Sequence, residues 1–152
     1  MLAQAAKTLN RPRKKSLTVE VRKKVCHAFS INSSGQVAGF AGTANGMSHA
    51  FVYTDGALFN LGTLGGTESY AYPISESGFV IGRATNAGGN NRAFVTILHG
   101  SMFDISSLDS RLGGSFSAAS GVNGSGQVVG YSTPPPITKR RRTEYSFIAI
   151  NV

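Results

Sequence analysis

Ala28-Phe29-Ser30-Ile31-Asn32-Ser33-Ser34-Gly35-Gln36-Val37-Ala38-Gly39-Phe40 is followed in this chain by two more versions of itself. Ala71-Tyr72-Pro73-Ile74-Ser75-Glu76-Ser77-Gly78-Phe79-Val80-Ile81-Gly82-Arg83 lies 43 residues further on, and Ala119-Ser120-Gly121-Val122-Asn123-Gly124-Ser125-Gly126-Gln127-Val128-Val129-Gly130-Tyr131 lies 48 beyond that. A period of this length, filled with short apolar runs and Gly-centred turns, marks an array of small antiparallel sheets. The run that closes each copy predicts strands at Gln36 to Phe40, Phe79 to Arg83 and Gln127 to Tyr131.

The second half of each unit repeats too. His49-Ala50-Phe51-Val52 matches Arg92-Ala93-Phe94-Val95 and, more loosely, Tyr145-Ser146-Phe147-Ile148. Leu58-Phe59-Asn60-Leu61 and Met102-Phe103-Asp104-Ile105 come next, each leading to a Gly pair, Gly65-Gly66 and Gly113-Gly114. The expectation is an all-β chain of three repeats with about four short strands each, arranged as propeller-like blades, with a β-trefoil-like threefold barrel as the alternative. The units span about 26–70, 71–117 and 118–152 of a β domain at 17–152, with a basic loop at 133–144 and a basic flexible arm at 1–16. All 19 glycines fall between Gly35 and Gly130, which argues for tight turns and against long helices. Asn45-Gly46 and Asp55-Gly56 are type I′ hairpin dipeptides, since both central residues of that turn need positive φ.

Within a unit, Val37, Val80 and Val128 follow a turn glycine inside apolar runs and are expected to be buried, as are Phe51 and Phe94. Gly39, Gly82 and Gly130 stand inside strands, where a missing side chain permits close backbone approach. Ala28, Ala71 and Ala119 are expected to fill a tight gap between sheets.

Charge is concentrated at two places. The first 24 residues hold eight basic side chains against Glu20 alone, and the run Lys139, Arg140, Arg141, Arg142 supplies four of the seven others. Arg11, Arg13, Lys14, Lys15, Arg22, Lys23 and Lys24, with that run, form a candidate weak anion-binding set. Such segments attract phosphates or acidic lipid surfaces without reading sequence. The arm contains no interleaved aromatic residues, which argues against base stacking.

Candidate chemistry fails one motif at a time, leaving no catalytic residue, metal ligand or cofactor site. Cys26 and His27 are neighbours on a strand and point to opposite faces, so they form no thiol–base dyad. His49 is replaced by Arg92 at the equivalent place, as befits a polar strand-end position, and no zinc spacing occurs. Gly124-Ser125-Gly126-Gln127-Val128-Val129-Gly130 is one residue too long for a dinucleotide fingerprint and leads into a strand. The acids are scattered, without the pairing that glycoside hydrolysis needs. Asn32 and Asn123 fit glycosylation sequons but occupy the repeat's turn. The single cysteine rules out an intramolecular disulfide.

The blocks quoted above, with Leu61-Gly62-Thr63-Leu64-Gly65-Gly66-Thr67-Glu68-Ser69-Tyr70-Ala71, resemble the HAF family of bacterial extracellular repeats. The family's His-Ala-Phe tripeptide stands at His27-Ala28-Phe29 and His49-Ala50-Phe51, and the likeness runs from about Cys26 to Ser132. It implies a propeller-like repeat protein at the bacterial surface or outside the cell, and it brings no catalytic residues. Three departures from the family pattern are a basic arm in place of a hydrophobic leader, the basic loop, and a third unit that stops before a fourth strand. The arm leaves an intracellular or host-nuclear effector as the alternative localisation. Ser16-Leu17-Thr18-Val19-Glu20-Val21-Arg22 alternates as a half-buried strand would, and is placed to complete that unit. Two chains completing one ring are the other solution. The functional expectation is a non-catalytic binding or interaction module for a protein or glycan partner; the alternative is nucleic-acid or acidic-lipid binding through the basic arm and loop, with the repeats as scaffold.

Overall fold

The computed structural model describes residues 25–108 and 114–133 together with the backbone of 146–151. Among them the chain is all-β, and its one helical turn is a 3₁₀ turn at Ile105–Ser107. The first sheet contains β1 (Cys26–Ile31), β2 (Val37–Gly42), β3 (Ser48–Thr54) and β4 (Ala57–Gly62) in chain order. The second repeats that order with β5 (Gly65–Ile74), β6 (Phe79–Asn86), β7 (Asn91–Ile97) and β8 (Phe103–Asp104). The third contains β9 (Ser117–Val122), β10 (Gln127–Ser132) and β11 (Ser146–Asn151). Each sheet is an open antiparallel meander, and the three strands expected from the apolar runs are β2, β6 and β10. The second sheet begins at Gly65, ahead of the repeat boundary at residue 71. The basic arm, the alternating run at 16–22 and the loop residues 134–144 lie outside the described residues.

The turns explain why the sequence repeats. Gly35, Gly78 and Gly126 adopt φ of 77°, 83° and 77°, a left-handed conformation that costs glycine no steric penalty. Asn32 Oδ1 accepts from the Gln36 N–H at 3.1 Å, and Asn123 Oδ1 accepts from the Gln127 N–H at 2.9 Å. In the second unit Ser75 Oγ takes the same role toward the Phe79 N–H at 3.0 Å. Turn chemistry thus accounts for the sequon asparagines and the fingerprint-like glycines. Asp55 and Gly56, at φ 52° and 81°, make the expected type I′ hairpin. Asn45-Gly46 does not: it belongs to a five-residue connection in which Gly46 alone has positive φ and donates to the Thr43 carbonyl.

Inside the strands, a Cβ on Gly39, Gly82 or Gly130 would stand 2.0, 2.0 and 2.4 Å from the carbonyl oxygens of His27, Tyr70 and Ala118. All three sheets therefore use the same close approach between first and second strands, as the sequence led one to expect.

Two apolar layers hold the sheets together. Ala38, Ala50 and Val52 of the first sheet meet Ala71, Val80, Ala84 and Phe94 of the second. Ile81, Ala93 and Val95, on the second sheet's other face, meet Ala119 and Val128 of the third. A buried serine clips each layer. Ser69 Oγ accepts from the Ala50 N–H at 2.8 Å and donates to the Gly62 carbonyl, and Ser117 Oγ accepts from the Ala93 N–H at 2.8 Å.

Three expectations need correction. Val80, Val128, Phe51 and Phe94 are buried, but Val37 is only half-buried, and the fully buried residue is its neighbour Ala38. Ala28 is exposed, whereas Ala71 and Ala119 are buried. Both departures have one cause: Val37 and Ala28 lie on the face of the first sheet that no other sheet covers among the described residues. In the third unit, Gly130 pairs with Ile148, where Gly39 and Gly82 pair with Phe51 and Phe94. By register Phe147 pairs with Tyr131 and so is not their equivalent.

Candidate functional site

β1, β5 and β9 each form one edge of their sheets, and β5 runs beside both of the others. Each of these edge strands is irregular at the same repeat position. β1 has a bulge between Ala28 and Ser30, β5 shifts register between Ala71 and Ile74, and β9 shifts opposite Val129 and Gly130. The inserted positions are occupied by Phe29, Tyr72 and Ser120. A bulge leaves one residue unpaired and re-aims its side chain, so two aromatic rings are turned out of the ladder here.

Around them lies a continuous aromatic cluster. His27 and Phe40 are cross-strand partners whose rings stack with centroids 4.9 Å apart. Phe29 lies 5.7 Å from Phe40 and meets Tyr72 edge-on at 5.6 Å, which carries the cluster from the first sheet to the second. Phe40 also meets Tyr70 edge-on at 4.8 Å. Tyr70 is the cross-strand partner of Arg83, whose guanidinium carbon sits 4.6 Å from the ring centroid in a cation–π contact. Thus His27–Phe40 and Tyr70–Arg83 are the same pair of positions in successive units.

Polar groups border these rings. Arg83 Nε donates to the Tyr72 hydroxyl at 3.0 Å and Nη1 to Asn91 Oδ1 at 3.4 Å, which fixes the guanidinium in place. The Tyr70 hydroxyl donates to Glu68 Oε2 at 3.2 Å. Burial holds the Tyr70 phenol above its ordinary value, with Glu68 acting in the same direction and Ser48 and Arg83 opposing. It is therefore a neutral hydrogen-bond donor at physiological pH. Phe29 is 53% exposed, and Phe40, Tyr70, Tyr72 and Arg83 are each partly exposed. The arrangement can offer ring faces and edges for apolar contact, with fixed donors and acceptors at their border.

None of the anion-binding candidates, Arg11, Arg13, Lys14, Lys15, Arg22, Lys23, Lys24 and Lys139 to Arg142, falls within the described residues. Cys26 pairs with Ala41 and His27 with Phe40, which puts the two on opposite faces. His49 lies near the start of β3 with Nδ1 3.2 Å from Asn60 Oδ1, and Arg92 occupies the same place in β7, donating to the Gly114 carbonyl. No three His, Cys, Asp or Glu side chains converge among the described residues. Sequence reasoning passed over Phe29, Phe40, Tyr70, Tyr72 and Arg83. The available signal was an aromatic residue after the repeat's alanine in two of three units; the cross-strand pairing required the register.

No family model, curated protein or solved structure matches this chain.

Proposed function

We propose that this chain is a non-catalytic binding module of the HAF repeat type, that its three sheets are propeller-like blades, and that it holds a glycan on the aromatic cluster of β1 and β5. The observation that carries this reading is the partly exposed group Phe29, Phe40, Tyr70 and Tyr72 bordered by Arg83 and Glu68, with Phe29 and Tyr72 turned out by bulges at repeat-equivalent positions. Saccharide rings have apolar faces edged by hydroxyls and need this combination of flat apolar surface and fixed polar groups. The blade reading is supported by the meander order of each sheet and by the stacking of successive sheets through their faces. Edge strands of blades converge on a common axis, where a ligand would meet side chains from more than one unit.

The test is a screen of defined oligosaccharides followed by calorimetry on the full chain. Phe29→Ala and Tyr72→Ala should each weaken binding by about tenfold or more, as loss of an aromatic anchor does. Phe29→Ala should leave the melting temperature almost unchanged. No saccharide binding, or binding indifferent to both substitutions, overturns the reading; retention of an unglycosylated protein instead, lost on Phe29→Ala, would transfer the site to a protein partner.

A second contact is favoured by the charge map, since residues 1 to 24 hold eight basic side chains and one acid. It is a sequence-independent grip on polyanions. It should fade steeply with salt and disappear when those residues are deleted, leaving saccharide binding intact.

A further inference from the structure

The faces at the two ends of the sheet stack are the two sides of one repeated interface, and we propose that they join head to tail between two copies of this chain. The template is internal. Between the first and second sheets, Val80, Ala84 and Phe94 are covered by Ala38, Ala50 and Val52. Between the second and third, Val128 and Ala119 are covered by Ile81, Ala93 and Val95. By register, Val37, Val80 and Val128 are one repeat position, and Ala38, Ile81 and Val129 are the next. Each internal interface therefore sets the valine-bearing face of one sheet against the alternate face of the sheet before it.

Among the described residues, one copy of each face has no other sheet stacked on it. On the first sheet the valine-bearing face presents Val37 with Ile31 and Leu58, which are 68% and 41% exposed. On the third, the alternate face presents Val129 and Tyr131, 47% and 39% exposed. These are the two halves that the internal interfaces bring together, so a second copy of this chain has a surface of the required type. The clip repeats as well. Ser69 pairs with Ala84 and Ser117 with Ser132; the corresponding residue of the first sheet is Cys26, paired with Ala41 and exposed. In a head-to-tail pair Cys26 would take the clip position and become covered. The contact is heterologous, so it yields a two-chain ring if the rotation closes and a longer chain of copies if it does not.

Sedimentation of the full chain across micromolar concentrations should show dimers or larger assemblies. Leu58→Glu disables one face and Val129→Glu the other, and each should weaken self-association by roughly a hundredfold, as an unpaired charge in an interface does. Both positions are exposed, so each variant should keep the wild-type circular dichroism and melting curve. Mixed one to one, the variants retain one intact pair of faces and should form a heterodimer. In that mixture, Cys26 of the Val129→Glu chain should be protected from alkylation, while Cys26 of the Leu58→Glu chain reacts freely. A wild-type chain that stays monomeric overturns the inference. So does self-association of Val129→Glu alone, which would show like faces meeting. If the monomer's Ile31 and Leu58 region is protected from exchange until residues 1 to 24 are deleted, the chain's own arm is the occupant and the inference falls.

Discussion

The first and second sheets share a repeat, a strand order and a glycine-centred close approach, yet their equivalent residues have different energetic roles. Val80 is fully buried where Val37 is half-buried, and Ala71 is fully buried where Ala28 is exposed. The difference lies outside the repeat unit itself. The second sheet is covered on both faces, by the first and by the third, whereas among the described residues another sheet stacks on only one face of the first. In a stacked array a residue's burial is set by its neighbours as much as by its own type, so identical positions in internal and terminal units need not be equally important. Serial position in the array decides what a given valine or phenylalanine contributes.

The largest expected contrast concerns the aromatic partner of each strand glycine. Phe94 is fully buried, with its ring 2.9 Å from where a Gly82 Cβ would stand, and it belongs to the layer between two sheets. Phe94→Ala should cost about 3–5 kcal/mol, because surrounding sheets cannot collapse into the space. Phe51 pairs with Gly39 in the same register and is buried too, but no other sheet stacks on its face among the described residues, so the site can partly close and Phe51→Ala should cost about 2–3 kcal/mol. Denaturant unfolding at a concentration where the chain is monomeric measures both. Equal losses would show that the terminal face is as well covered as the internal one.

How far these differences could be read in advance depends on what kind of interaction made them. The three closing strands, the turn glycines and the buried Phe51, Phe94, Val80 and Val128 were legible because periodicity and turn chemistry are local properties. Val37 and Ala28 were misjudged because burial depends on which sheet stacks on which, and the repeat pattern is the same at an internal and a terminal position. The aromatic cluster was hidden for a different reason. His27 meets Phe40 across a strand pair, and Phe29 meets Tyr72 across two sheets and 43 residues, so their proximity follows from register and bulges. The basic arm and loop were the opposite case: conspicuous in the sequence, they lie outside the described residues.

A smaller contrast isolates the serine clip. Ser69 and Ser117 are buried, and their hydroxyls satisfy the Ala50 and Ala93 N–H groups. Ser69→Ala or Ser117→Ala leaves a buried donor unpaired and should cost about 1–3 kcal/mol. At the equivalent exposed position, Cys26→Ala should change monomer stability by less than about 0.5 kcal/mol. Thermal and denaturant unfolding of the three variants tests this directly. A large loss for Cys26→Ala in the dilute monomer would mean that the first sheet's edge is already clipped within one chain.

The smallest expected effect distinguishes the two turn-to-turn contacts that run along one side of the stack. Between the first and second units, the Ser33 N–H and hydroxyl donate to the Glu76 carboxylate. Between the second and third, the Ser77 hydroxyl donates to the Gly124 carbonyl at 2.6 Å, with no ionisable partner. Hydrogen bonds from Ser33 hold the Glu76 carboxyl below its ordinary value of 4.5. A depressed folded value means that the unfolded chain takes up its proton first as pH falls. The contribution is thus complete above the ordinary value and is lost as pH drops through the lowered one. Because Glu76 is fully exposed, the effect is modest and screened by salt. Glu76→Gln should therefore lower stability slightly at neutral pH and converge with wild type in acid, which flattens the acid limb of the stability curve. Ser77→Ala should lower the curve by a similar amount at every pH, because its bond joins two neutral groups. If Glu76→Gln and wild type lose stability in parallel below the ordinary carboxylate range, the bridge between the first two turns carries no pH dependence, and the two contacts are energetically alike.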